Sequence, residues 1–235
     1  MTSLSPADAE RLKSAFLRCR DMEGTLDEQL QTYAAAGREI FPAYGEAVDR
    51  LVARVNANGG GENAPRPGEP LPAFVLPDES GRLVALPSLL EQGPLAVMFF
   101  RGHWCPYCRL NVRAVIKAYD RIRGMGAQVV AIMPETQEYA AKFKTEAGAP
   151  FPVLTDLDNG YALSLNLAIW LGVDIERLLS YLDVAGFYGN DGWVLPIPAT
   201  FVVGRDCMIK ARFVDPDFRR RMAIEDLLIA LKDAR

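Results

Sequence analysis

Residues 95–124 read LAVMFFRGHWCPYCRLNVRAVIKAYDRIRG, and their reading decides the fold. Leu95 to Phe100 is a short apolar run without charge, set just after Gly93 and Pro94, which predicts a strand buried on both faces. The run stops at Arg101 and Gly102. Beyond Cys105-Pro106-Tyr107-Cys108, apolar residues recur at helical spacing through Leu110, Val115, Tyr119 and Ile122, and Gly124 stands where a helix cap is expected. The cysteine pair therefore sits at the mouth of a helix. The first turn of a helix presents unpaired N–H groups and a partial positive charge, so a thiol there ionises more readily. Such settings lower a cysteine pKa from ~8.5 to roughly 3.5–7.5, and the thiolate is the nucleophile. Pro106 suits the first helical position because it has no N–H to lose. The expected order is Cys105 outermost, of low pKa and attacking, with Cys108 one turn inside and resolving.

Two plainer readings compete. A zinc site needs four ligands, and the chain offers only Cys19, Cys207 and His103 besides the pair. The pair also fits two buried structural thiols, a common fate of free cysteine. Flanking His103, Trp104 and Arg109 favour chemistry over both.

Residues 100–110, FRGHWCPYCRL, resemble the active-site segment of the thioredoxin-fold superfamily, with Cys-Pro-Tyr-Cys in the glutaredoxin form. The surroundings are similar to the AhpC/TSA family (alkyl hydroperoxide reductase/thiol-specific antioxidant), meaning peroxiredoxins and their C-x-x-C-bearing branch. Three further stretches agree: PGEPLPAFVL at 67–76, FPVLTD at 151–156 and LPIPATFVV at 195–203. The resemblance covers residues 65–235. It implies an α/β thioredoxin-like fold with a central mixed sheet flanked by helices. It also implies a cytoplasmic thiol oxidoreductase that needs no cofactor or metal. Hydroperoxides or disulfides would be reduced by Cys105 and Cys108 cycling through an intramolecular disulfide. Thioredoxin, glutaredoxin or glutathione would be the external reductant. A disulfide reductase with little peroxidase activity, and a redox-sensing or zinc-binding module, are the alternatives.

The resemblance also puts a cis-proline at Pro198, with Thr200 beside it, opposite the dithiol; Pro196 is the rival position. A cis bond is inexpensive only before proline. Peroxiredoxins show Pro-x-x-x-Thr-x-x-Cys and a later arginine that helps to activate peroxide. Aligned on Cys108, those positions are Arg101, Cys105 and Pro198, and this alignment would make Cys108 the peroxidatic residue. The expectation is slower peroxide reduction than with the full motif, unless Arg101 or Arg109 turns inward. Thioredoxins carry an acid six residues before the first cysteine. Phe99 stands there, so His103 or Glu135 would move protons, although a lone histidine is more often solvated.

At 235 residues, 50% hydrophobic and 24% charged, the chain can build one substantial core with an appended element. The first residues lack a signal-peptide core, and no run approaches the roughly 18 apolar residues of a membrane span. A cytosolic chain keeps its thiols reduced, so C-x-x-C reads as catalytic rather than structural. A net charge of −4 argues against a nucleic-acid partner. The one basic run, Arg219-Arg220-Arg221, follows Asp215 and Asp217 and reads as a solvated face with local ion pairs.

Residues 1–58 read as a helical extension. Ser5-Pro6 with Asp8 starts one helix, Thr25 to Glu28 forms a capping box, and Pro42 breaks the pattern that follows. These helices either cover the redox domain or pair with a second copy as a homodimer. Residues 59–67, rich in Gly and Pro, read as a linker, and 68–235 as the redox domain. Within it the expected order is a hairpin around 78–81, the central strand, a strand at 127–133, a helix at 136–147, a brief strand at 153–154 and a helix at 158–168. A helical insertion at 169–195, two closing strands at 199–204 and 208–214, and a final helix over 217–234 complete it. Cys19 and Cys207 read as structural.

Overall fold

The computed structural model describes residues 4–234. Strand β3 (Leu95–Phe99) lies at the centre of a five-stranded sheet, and all five of its residues are buried. On one side it pairs in parallel with β4 (Gln128–Met133), which pairs in parallel with β5 (Val153–Thr155). On the other it pairs antiparallel with β8 (Ala199–Val203), which pairs antiparallel with β9 (Ile209–Val214). The order is β5-β4-β3-β8-β9, a mixed sheet. A strand covered on both faces has no water-facing side, which accounts for the uncharged run. Each fully buried Val, Leu or Phe there contributes about 1.5–3 kcal/mol of transfer free energy. Gly93 has φ 145°, and a Cβ on it would stand 1.9 Å from the Gly126 carbonyl oxygen. This close approach lets β3 and β4 start side by side.

Helices flank the sheet. Among them are α5 (Pro106–Lys117), which carries the thiol pair at its start, α6 (Tyr119–Gly124), α7 (Gln137–Ala147) and α11 (Ile224–Asp233). The expected helix from 106 to 124 breaks at Ala118 into α5 and α6. A hairpin of β1 (Val75–Pro77) and β2 (Leu83–Ala85) precedes the short helix α4 (Leu86–Leu90). No helix among the described residues is long and apolar enough to cross a membrane.

The first three helices lie on this unit. Helix α1 (Pro6–Asp21) is capped by Ser5, whose Oγ accepts the Asp8 N–H at 3.1 Å. Helix α2 (Leu26–Ile40) carries the full capping box: Thr25 Oγ1 accepts the Glu28 N–H at 3.2 Å, and Glu28 Oε2 accepts the Thr25 N–H at 2.7 Å. The chain breaks at Phe41, and Pro42 opens α3 (Pro42–Ala57), where a missing N–H costs nothing. A chain of edge-to-face rings joins α1 and α2 to α5, with Phe16 to Tyr33 at 6.2 Å and Tyr33 to Tyr107 at 5.3 Å. An ion pair at 3.0 Å between Asp49 of α3 and Arg219 ties the third helix down.

Three expectations need correction. The helix expected over 158–168 is only a 3-10 turn (Leu157–Asn159) and α8 (Gly160–Ser164). The Asp156 carboxylate starts it by accepting the Tyr161 and Ala162 N–H groups, each at 2.8 Å, and Asn166 ends it with φ 56°. The insertion is partly strand: β6 (Ala168–Trp170) pairs antiparallel with β7 (Val194–Pro196), around α9 (Val173–Leu178) and α10 (Val184–Tyr188). The last helix starts at Ile224, not at 217. Asp215 Oδ1 takes the Asp217 N–H at 2.9 Å and Asp217 Oδ1 takes the Arg219 N–H at 3.0 Å, local bonds that compete with helix formation.

The α2 cap gives a test of this scaffold. Thr25→Ala removes the side-chain half of the box, leaving the backbone N–H of residue 25 on Glu28, and lowers the unfolding free energy by about 1 kcal/mol. Denaturant titration at fixed pH measures the loss, and an unchanged midpoint would contradict the role given to the cap.

Candidate functional site

Strand β3 ends at the loop 100–104, and α5 begins with Cys105 as its N-cap and Pro106 as its first residue. Both Cys105 and Cys108 are fully buried free thiols. Cys108 Sγ accepts the Arg101 backbone N–H at 3.4 Å, and Arg221 Nη2 lies 3.7 Å from the same sulfur. Burial pushes the Cys108 thiol up. The hydrogen bond from Cys105, the Arg221 charge and the Arg101 N–H outweigh burial and bring it down to about 6. Burial, the proton shared with Cys108 and the charge on Cys108 push Cys105 well up. The expected assignment of the low pKa to Cys105 is therefore reversed. The donors at this helix mouth converge on the sulfur one turn in, and Cys105 is not exposed.

The loop carrying these residues is held from two sides. Gly102 has φ 153°, and a Cβ there would meet Glu135 Oε1 at 2.6 Å and Trp104 Nε1 at 2.8 Å. Glu135, just past β4, accepts the His103 backbone N–H at 2.8 Å and sits 2.7 Å from His103 Nδ1. Burial pushes the Glu135 carboxyl up, with His103 opposing. His103 is thus a buried, paired residue rather than a solvated one, stacked on Tyr139 and edge-on to Phe187. Tyr188 of α10 donates to the Arg101 carbonyl oxygen at 2.8 Å and accepts from Trp104 Nε1 at 2.6 Å. The insertion at 169–195 therefore anchors the loop from its other side.

Arginine placement decides the electrostatics. Arg101 is 2% exposed, with its guanidinium 3.8 Å from the Phe218 ring centroid and 5.1 Å from that of Trp104. Arg109 stays outside, over Phe16 and 3.8 Å from Glu146. Of the two substitutes considered for the missing motif arginine, only Arg101 turns inward. Arg221 is a correction, because the run 219–221 does not form one solvated face. Arg220 pairs with Asp215 at 2.9 Å, and Arg219 with Asp217 at 2.7 Å, while Arg221 is buried against Cys108. Three arginines beside two acids was the available signal that one would look elsewhere.

No described peptide bond is cis, so the bond before Pro198 is trans. Ile197 donates its N–H to the Leu167 carbonyl at 2.7 Å, which carries the extended chain of β7 straight into β8. Thr200 is buried in β8 opposite Met98. Among the described residues no cluster of three or more His, Cys, Asp or Glu side chains is placed to hold a metal ion.

Above the thiols is a cavity of about 290 Å³ between α1–α3 and the loop. Cys105, Arg101, Trp104 and Pro106 form one wall, and Phe16, Tyr33, Tyr44, Leu179 and Phe218 are among those that form the rest. Cys108, Pro198 and Thr200 are not part of its lining.

The AhpC/TSA family model matches residues 67–212. Over 92 residues the chain is 32% identical to a chloroplastic peroxiredoxin Q of Sedum lineare, covering 39% of this chain and 49% of that protein. It is 25% identical over 147 residues to the thiol:disulfide interchange protein DsbE of Pseudomonas aeruginosa, covering 63% of this chain and 66% of that protein. The chain thus spans about half the length of the peroxiredoxin Q it matches. Among solved structures, peroxidoxin BcpB of Mycobacterium tuberculosis superposes with a TM-score of 0.57 at 20% identity, over 73% of this chain and 99% of that one. A reduced Prx3 of Vibrio vulnificus gives 0.57 at 14% identity, over 70% and 97%. These two establish the shared thioredoxin-like fold.

The charge on Cys108 can be tested at its source. Arg221→Met removes a charge from 3.7 Å away, and the reduced pair should alkylate at pH 6.5 about threefold more slowly, because a rise of one pKa unit from about 6 cuts the thiolate fraction at that pH by roughly that factor. A rate equal to that of the native chain would mean that Arg221 does not stabilise the thiolate.

Proposed function

The chain belongs to the AhpC/TSA family, and on that premise we propose that it is a thiol-dependent oxidoreductase reducing hydroperoxides, and disulfides, through Cys105 and Cys108. The observation that carries this reading is the placement of two guanidinium groups around one buried dithiol, Arg221 at Cys108 and Arg101 at the cavity wall with Cys105.

In the resting dithiol the pair holds one negative charge, lodged on Cys108, and one proton, on Cys105. Cys105 belongs to the cavity wall and is the sulfur that a substrate meets. As the Cys105 proton passes to Cys108, the Cys105 sulfur attacks the peroxide. An S–O bond forms, the O–O bond breaks, and the leaving oxygen takes a proton from water to depart as alcohol or water. Charge developing on that oxygen needs donors fixed beforehand. Arg101 supplies one, which answers the shortfall expected from the motif, where Pro198 stands at the arginine position. Cys108 then attacks the sulfenic sulfur; the S–S bond forms and water leaves with the Cys108 proton. An external thiol such as thioredoxin, glutaredoxin or glutathione returns the disulfide to dithiol by exchange. His103 and Glu135 position the loop. In this reading the helices of residues 1–58 are an extension that roofs the redox domain, and the site needs no metal or cofactor.

Disulfide substrates use the same two sulfurs, with a thiolate as leaving group in place of the oxygen. That step is less dependent on Arg101, because a thiolate leaves more easily than an alkoxide. Arg101→Met should therefore lower the second-order rate constant for hydrogen peroxide by roughly 10²-fold, and that for a small disulfide by much less.

The order of attack is tested in single turnovers with hydrogen peroxide. Cys108→Ser should consume one peroxide per chain and stop as a Cys105 sulfenic acid trapped by dimedone. Cys105→Ser should not turn over. A dimedone adduct on Cys108 in Cys105→Ser, at the native rate, would reverse the roles.

A further inference from the structure

The cavity above the thiols has a composition that peroxide reduction alone does not call for. Its walls are apolar and aromatic, with Phe16, Tyr33, Phe41, Tyr44, Leu179 and Leu182 facing the loop. Every charged residue in its lining is basic: Lys13, Arg38, Arg101, Arg109 and Arg219. Four of the five have a carboxylate partner elsewhere, Lys13 with Glu10, Arg38 with Asp49, Arg109 with Glu146, and Arg219 with Asp49 and Asp217. Arg101 has none. It is 2% exposed, and its Nε and Nη2 have no hydrogen-bond partner among the described residues.

Those two nitrogens form one edge of the guanidinium fork, the edge that takes a carboxylate through two parallel N–H···O bonds. The Phe218 and Trp104 rings cover the guanidinium faces. The neighbouring charges do not neutralise it either. Arg101 and Arg221 together face one thiolate, on Cys108, which leaves one positive charge over.

We propose that this cavity is a binding site for apolar monocarboxylates, with the carboxylate on the Nε/Nη2 edge of Arg101 and the hydrocarbon or aryl body against α1, α2, α3 and the turn that follows α9. About 290 Å³ lies at the lower end of the range for small-molecule sites. A neutral molecule of the same shape gains the apolar contacts but leaves the guanidinium edge unpaired. A dicarboxylate would have to bury its second charge among aromatic rings. Because Cys105 shares the wall with Arg101, a bound carboxylate stands between Cys105 and an incoming reagent. The site thus admits apolar acids as competitors of the reagent at Cys105. Binding itself holds whichever oxidant the thiols consume.

The experiment compares 4-phenylbutyrate with 4-phenyl-1-butanol on the full reduced chain by calorimetry at neutral pH. The acid should bind at least tenfold more tightly than the alcohol, and Arg101→Met should bring the two within a factor of two. Alkylation of the native chain should slow in proportion to occupancy by the acid. If Arg101→Met does not fold, Leu179→Trp, which fills the cavity without touching the charge, should abolish binding of both compounds. Equal affinity for acid and alcohol, no binding of either, or binding that survives Leu179→Trp undiminished would each overturn the proposal.

Discussion

The site depends on one negative charge held in a dry place. A thiolate inside a protein loses the hydration it has in water, and burial alone would drive both cysteines neutral. Here the Arg101 amide, the Arg221 guanidinium and the Cys105 thiol converge on Cys108 and reverse that outcome. A helix N-terminus contributes through its direction as well as its charge, since the free amides of its first turn point out of the helix end. The reversal also links redox state to stability. The folded pKa of Cys108 lies below its ordinary value of 9.0, so the reduced fold gains stability as pH rises from about 6 towards 9 and loses it as pH falls through 6. Once Cys105 and Cys108 are joined in a disulfide, neither has a thiol proton to titrate, and the pair carries no such dependence.

The surrounding structure is arranged to keep that charge in place. Loop 100–104 is tied to β4 through Glu135, to the insertion through Tyr188, and to the segment before α11 through the Arg101–Phe218 contact. That segment in turn holds α3 through Arg219 and Asp49, and α3 helps to roof the cavity. Each of the additions to a minimal thioredoxin-like sheet, the helices at the N-terminus and the insertion at 169–195, therefore reaches loop 100–104 or the cavity above it. A change in either is expected to alter reactivity without touching a sulfur.

Much of the frame was legible in the sequence because local signals agree with the tertiary outcome. The uncharged run 95–100, the capping box at Thr25 and Glu28, and Pro42 at a helix start each act over a few residues. What escaped was set by contacts between distant segments. Arg221 reaches Cys108 across 113 positions, and nothing in the run 219–221 marks which of three arginines turns inward. His103 looked like a solvated lone histidine until Glu135, just past β4, gave it a buried partner. The choice between Cys105 and Cys108 as the charged sulfur rests on donors from two loops, and spacing alone favoured the wrong one. The final helix was drawn too long because Asp215 and Asp217 bond to their own backbone, a choice that apolar periodicity cannot register.

The central claim, that the reduced pair carries one thiolate near neutral pH, is tested most directly by following the ultraviolet absorbance of thiolate against pH in the reduced native chain. Cys105→Ser and Cys108→Ser serve to assign the signal. For the pair, the account predicts one thiolate appearing with a midpoint of about 6, lost in Cys108→Ser, and no second thiolate until well above pH 9.0, over whatever Cys19 and Cys207 contribute in all three proteins. Cys105 and Cys108 titrating together near the ordinary value of ~8.5 would contradict it.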